Sequence, residues 1–346
     1  MDYCGFDLAK TASQVCIRTA DGQLVERRLK TTRDELTKFF SERPHTRILI
    51  EAATESEWVA RHLEGLGHEV VVADPNFAPM YATLSKKIKT DRRDARALCD
   101  ACERGTYRPA YRRTDSQQRV RAELIARETL VATRTKYISV IRSMLRREGV
   151  RVQSCAAGYF RRHVEAMNLP EHLRSATGPL LEVLRVLDEQ ISRADERLEE
   201  VATRQPLIKR LCLIPSVGPV TSITFVALVG ECSRFSSAKQ VRAYLGLVPR
   251  EDSSGERKLR GHITKAGDSR MRSLLVEVGW SILSSKKAGV QGLRQWALRV
   301  AARRGKRVAV VALARKLAGI LYAMWRDGTE FDPGRMRPDG VPAAGG

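Results

Sequence analysis

The sequence predicts an α/β domain with a mixed sheet, followed by a mostly helical remainder, a fold class best written α/β plus α. Three observations predict it. Short β-rich runs separated by polar turns open the chain, a continuous apolar strand follows them, and from Gln117 onward the periodicity becomes helical. With 346 residues, 43% of them hydrophobic, the chain can bury more than one core and has room for two or three domains.

Taken in order, "YCGFDLA", "SQVCIRTA" and "GQLVERRLKT" are strand-like runs joined by turns such as Ala20-Asp21-Gly22, an antiparallel meander. "TRILIEAA" is apolar without alternation, as in a strand covered on both faces. A helix over about 55–66, a strand "HEVVVADP" and further helix through Glu103 complete the region. Three hairpin-linked strands followed by βαβ units make a mixed sheet of the ribonuclease-H type, placed at residues 1–112.

Residues 113–205 read as long polar helices. In the second of them Leu180, Leu184, Leu187, Ile191, Ala194, Leu198 and Val201 are spaced 4, 3, 4, 3, 4 and 3 apart, a heptad seam. The earlier helix carries a looser seam, interrupted by Arg127 and Arg134. A coiled coil that joins subunits and a helical hairpin within one chain both bury this stripe. Residues 206–326 form a third, mostly helical region. Within it "LCLIPSVGPVTSITFVALVG" has the cadence of a helix-hairpin-helix, in which Gly218 would let a phosphate approach the backbone; an ordinary helical hairpin reads the same way. The tail, 327–346, is rich in Gly and Pro and is expected to be disordered at its end.

Composition narrows the partner. Lys and Arg number 61 against 40 Asp and Glu, a net charge of +21 spread along the chain, which calls for a polyanion, nucleic acid first. No stretch reads as long and apolar enough to span a membrane, and the N-terminus lacks a signal-peptide pattern. Seven cysteines without a regular framework fit a reducing cytoplasm, with nucleoid association expected of such a charge. Cys99 and Cys102 form a lone CxxC and read as helix residues, not a zinc site.

Against this cationic background, four acids stand out. Asp7 sits in the first strand, Glu51 ends the buried run, and Asp91 and Asp94 are three apart in "KIKTDRRDARAL", where helical spacing puts them on one face. A carboxylate ending a buried strand is costly unless it is paired or coordinated. Hard oxygen donors of this kind suit Mg²⁺, which stabilises charge during phosphoryl transfer. The neighbouring Lys87, Lys89, Arg92 and Arg93 would face a nucleic-acid backbone. Helix capping is the competing account: Thr90 as N-cap, with Asp91 and Asp94 in the first turn favoured by the dipole. On "TDRRD" alone capping is the stronger explanation; Asp7 and Glu51 tip the balance.

"GFDLAKT", "LIEAA" and "KTDRRDARAL" resemble the acidic motifs of the DEDD transposases, insertion-sequence recombinases with an N-terminal domain like the RuvC Holliday-junction resolvase. The resemblance runs in matching order over nearly the whole chain, residues 1–325. It implies that Asp7, Glu51, Asp91 and Asp94 form the metal-binding set. Further on, "AYLGLVP", a Ser-Gly pair and "ITKAGDSRMR" are similar to the family's C-terminal domain, whose nucleophilic serine precedes that glycine. This implies Ser254 rather than Ser253, although the local sequence shows only a polar turn with no adjacent base. Where the family pattern often has a basic residue before the "ITK" glycine, this chain has Ala266. Arg257, Lys265, Arg270 and Arg272 are the cations placed to hold a phosphodiester nearby. The final helices combine an apolar stripe with cations that include Arg315 and Lys316, a core helix with a basic face, some of which is available to nucleic acid.

The resemblance further implies donor and target DNA as partners, a bridge RNA as guide, and a homo-oligomer, dimeric and becoming tetrameric at synapsis. The two halves of one site would come from different subunits. Three rival readings differ in class: a metal-dependent, Holliday-junction-resolvase-like nuclease with water as nucleophile, a kinase of the actin-like fold suggested by "FDLAKT", and a non-enzymatic nucleic-acid binder.

Overall fold

The computed structural model describes residues 1–81, 90–254 and 257–335, with backbone alone for 251–254, 257–260 and 335. They form two compact units, Met1–Arg113 and Thr114–Gly346.

In the first unit, β1 (Asp2–Asp7), β2 (Ala12–Arg18) and β3 (Leu24–Lys30) are followed by α1 (Arg33–Phe40), β4 (Thr46–Glu51), α2 (Ser56–Gly65), β5 (Glu69–Ala73) and α3 (Asp91–Arg104). The sheet order is β3-β2-β1-β4-β5; β1 to β3 pair antiparallel, while β1–β4 and β4–β5 pair parallel. This is the mixed sheet of the ribonuclease-H type. Helix α1, capped by Thr32, was not legible in the sequence reading; its Leu36 and Phe40 are fully buried.

Strand alternation sorts the side chains. Cys4, Phe6, Ile48 and Ile50 point to a core shared with α1 and α2. Tyr3, Leu49 and Ala73 point the other way, against Leu98, Ala101 and Cys102 of α3. Gly5 also belongs to this second face. A Cβ there would lie 2.1 Å from the Ala95 carbonyl oxygen and 2.2 Å from the Cys99 nitrogen, so the helix backbone rests directly on the strand. Cys99 and Cys102 donate to the carbonyls of Tyr3 (3.2 Å) and Arg47 (3.4 Å) and are packing residues of α3.

In the second unit α4 (Asp115–Arg147) runs antiparallel to α6 (Glu171–Arg204), with the short α5 (Phe160–Glu165) between them. Arg127 and Arg134, which interrupt the seam of α4, reach Asp195 and Asp188 on α6, the latter at 3.1 Å. The two arginines and the two aspartates are each seven residues apart, so the interruptions fix an antiparallel register. The α6 stripe is buried within the chain: Leu184, Leu187, Ile191, Ala194 and Leu198 are all covered.

Beyond the hairpin come α7 (Pro206–Leu211), α8 (Pro219–Val229), α9 (Ala238–Tyr244), the hairpin β6 (Pro249–Ser254) and β7 (Arg257–Ile263), then α10 (Ser269–Ser284), α11 (Gln291–Arg304) and α12 (Lys306–Asp327). Helix α12 corrects one expectation. It is long and apolar enough to cross a membrane by composition, yet it is the central core helix: Leu313, Ala314, Leu317, Ala318 and Leu321 have no exposed surface. The end of the Gly- and Pro-rich tail, 336–346, lies outside the described residues.

Candidate active site and nucleic-acid interface

Asp7 and Glu51 end neighbouring parallel strands. The register pairs Phe6 with Ile50, which sets the next two residues, the acids, side by side at the carboxyl edge of the sheet. By alternation both belong to the α3 face. The close approach at Gly5 brings the first turn of α3 to the same edge, because Ala95 lies on Gly5 and Cys99 reaches back to Tyr3. Asp94 therefore arrives beside the strand ends, and it is 8% exposed.

Thr90 does cap α3, accepting from the Arg93 N–H at 3.4 Å, and Asp91 is an exposed first-turn acid of the kind the dipole favours. Capping does not require an acid to be buried, however, so it explains Asp91 and leaves Asp94 to another cause.

A residue absent from the sequence reading sits among these acids. The Tyr81 hydroxyl donates to Glu51 Oε2. Burial, the bond to Glu51, and then the charges of Glu51, Asp94 and Asp7 push the Tyr81 phenol well above its usual range. Three of the four expected acids thus act on one hydroxyl, while Asp91 stands one turn of helix away. No local feature of "FAPMYATL" marks Tyr81; only the fold brings it to Glu51.

The donor set is hard, anionic and partly buried, which suits a divalent cation. Its present spacing is open: among the described residues no group of three His, Cys, Asp or Glu stands close enough to share one ion.

Two cations of α3 are paired within the fold. Arg92 and Arg96 both bind Glu26 on β3, and these bonds hold the Glu26 carboxyl down at about 2. Arg92 thus braces α3 against the sheet while its side chain stays 64% exposed. Arg93 is exposed. Lys87 and Lys89 lie outside the described residues.

In the second unit, Ser254 ends β6 and pairs in register with Arg257 at the far end of the β6–β7 hairpin. The side chains of Ser253, Ser254 and Arg257 lie outside the described residues. The base of the hairpin is clamped. Gly246 and Gly267 have φ of 67° and 75°, and a Cβ on either would lie 2.0–2.1 Å from a carbonyl oxygen of the opposite turn, those of Ala266 and Tyr244. The Thr264 and Lys265 N–H groups continue the ladder onto Val248 (2.9 Å) and Gly246 (3.1 Å). Asp268 caps α10 through the Met271 N–H at 2.8 Å.

Two of the expected phosphate-binding cations have partners within this unit. Arg270 is paired with Glu128 at 2.8 Å, its side chain 15% exposed, and Arg272 donates to the carbonyls of Leu245, Ala266 and Gly267. Arg272 satisfies the carbonyls of the two tight turns, whereas Arg270 ties the start of α10 to Glu128 of α4. Lys265 is exposed, with a left-handed φ of 56°. In the Pro215–Pro219 turn, Ser216 is the left-handed residue (φ 76°), whereas Gly218 is an extended N-cap whose missing Cβ faces open space.

Similarity to known proteins agrees with this arrangement. Residues 4–148 match a transposase model named for the DEDD acids of IS110, and residues 208–293 match the IS116/IS110/IS902 transposase family. The transposase of insertion sequence element IS1111A of Coxiella burnetii is 30% identical over 92% of this chain and 88% of its own length. That of element IS1328 of Yersinia enterocolitica is 28% identical over 94% of this chain and 97% of its own. The sheet-edge acids, the clamped hairpin and full-length similarity together place the chain in the DEDD transposase family of insertion sequences, enzymes that recombine DNA.

Proposed function

We propose that this transposase cuts and rejoins DNA through a covalent phosphoserine. The Ser254 oxygen attacks a DNA phosphorus; a serine–phosphorus bond forms as a bridging P–O bond breaks, and the released sugar oxygen leaves with a proton. Attack by another sugar hydroxyl reverses the exchange and reseals the strand, so phosphodiester energy is kept and no ATP is required. Asp7, Glu51, Asp94 and the adjacent Asp91 would hold the metal, with Mg²⁺ the expected ion; when bound it neutralises charge on the attacking and leaving oxygens. The observation that carries this reading is the register setting Asp7 beside Glu51 on the face where Gly5 seats α3.

In this reading residues 1–112 supply the acids, 206–326 the serine, and 113–205 the link, with acid and serine halves drawn from different subunits of a dimer that becomes a tetramer at synapsis. With the α6 stripe covered by α4, subunits would meet through outward apolar positions such as Ile125, Val140, Val183 and Val186. The Gly218 turn is a second place for backbone phosphate, as in a helix-hairpin-helix. A bridge RNA would supply sequence choice, leaving a chain of net charge +21 to hold backbone phosphate without reading bases.

The test is a denaturing gel of full-length protein with end-labelled donor DNA and Mg²⁺. A protein–DNA adduct lost in Ser254→Ala is expected. Free hydrolytic ends without an adduct would favour the resolvase-like nuclease instead. Sequencing of RNA that co-purifies from the host tests the guide.

A further inference from the structure

A cluster of cations in the second unit plays no part in the chemistry above. Arg242 of α9 lies flat against α12: a Cβ on Gly319 would stand 2.1 Å from Arg242 Nη2 and 2.7 Å from its Cζ, so the guanidinium occupies the space a side chain would fill. Lys316, one turn earlier on α12, places its Nζ 4.5 Å from the centre of the Trp296 ring on α11. Arg315 is next to it in sequence. Burial and then Arg315 depress the Arg242 guanidinium; burial, then Arg299 and Arg242, depress the Lys316 ammonium. These groups therefore feel one another's charge.

The cluster has no internal counterweight. Among the described residues no carboxylate pairs with Arg242, Arg315 or Lys316. Elsewhere in the same unit half-buried arginines have acids, Arg134 with Asp188 and Arg270 with Glu128. Packing like charges together beside an aromatic ring, partly out of water, is unfavourable in the free protein. An anion that enters the cluster reverses the sign of that effect. The planar forks of Arg242 and Arg315 suit phosphate oxygens, and Lys316 adds a point charge held in place by Trp296.

We propose that Arg242, Arg315 and Lys316, framed by Trp296, form a binding site for one phosphodiester of the nucleic acid on which the protein acts. This rests on the family's action on DNA and not on serine chemistry. A binding assay does not read adduct formation, so failure here leaves the covalent step standing, and the reverse also holds.

The test is fluorescence anisotropy of the full-length protein with a labelled DNA duplex and, separately, a labelled RNA of equal length, over a range of chloride concentrations. Lys316→Met and Arg315→Gln should each weaken binding about fivefold at moderate salt and flatten the salt slope by about one. Lys316→Arg should restore both. Each neutral variant should melt at or above the wild-type temperature, since repulsion is relieved, and inorganic phosphate should raise the wild-type melting temperature more than theirs. A slope change on DNA assigns the phosphate to DNA, and one on RNA alone assigns it to RNA. Unchanged affinity and slope on both, or an affinity loss accompanied by a drop in melting temperature, overturns the site.

Discussion

The acid edge of the first unit and the cation cluster of the second are built in opposite ways. At the acid edge, backbone sets the positions: adjacent parallel strands carry Asp7 and Glu51, and Gly5 seats the α3 backbone that carries Asp94. In the cation cluster, side chains set them: Arg242 lies in the space left by Gly319, and Lys316 leans on Trp296. The two glycines make the contrast concrete. A Cβ on Gly5 meets main chain, which cannot retreat, whereas one on Gly319 meets the end of a long flexible side chain. The first arrangement suits bond-breaking, which tolerates little misplacement. The second suits holding a charged strand, where a point charge can adapt.

The largest effect that sharpens this contrast is at the acids. Asp7→Asn or Glu51→Gln should lower DNA cleavage by on the order of a hundred- to a thousandfold while leaving melting temperature unchanged or raised, because mutual repulsion falls; a large loss of stability with cleavage intact would break it. Gly5→Ala comes next. Displacement of α3 should cost about 3 kcal/mol in urea denaturation and abolish cleavage. Gly319→Ala should be mild by comparison: little change in melting, with a loss of DNA affinity of about fivefold as Arg242 is evicted.

Glu26 tests the brace between α3 and β3. Its folded carboxyl is held at about 2 against an ordinary 4.5, so the stabilisation is present above about 4.5 and lost as pH falls toward 2. The melting-temperature gap between wild type and Glu26→Gln should be full at neutral pH and close over that window. The smallest effect is on the long hairpin. Arg134→Asp should cost about 1 kcal/mol or less, and adding Asp188→Arg should recover most of it.

Strand-forming runs were legible because burial on one or two faces leaves a periodic trace: "TRILIEAA" holds β4, which ends two residues earlier, at Glu51. The positions of Asp7 and Glu51 at strand ends, and of Asp91 and Asp94 in a capped first turn, were legible from local pattern. What was not legible depends on partners distant in sequence. Arg92 and Glu26 are 66 residues apart, Tyr81 and Glu51 are 30 apart, and nothing near any of them announces the pairing. Arg127 and Arg134 interrupt the apolar seam in sequence, and only the returning helix supplies the aspartates that pair with them. Helix α1 was missed because eight residues give too few turns for a periodic signal. In the 215–219 turn the eye goes to glycine, yet Ser216 takes the left-handed conformation.

The paired helices α4 and α6 have 33 and 34 residues, a rod of about 50 Å that leaves α8 and comes back to it. Entry and exit share one end, so the rod behaves as a ruler. Inserting one matched heptad into each helix would lengthen its reach by about 10 Å and keep every charge pair aligned. A single unmatched insertion would throw the pairs out of phase.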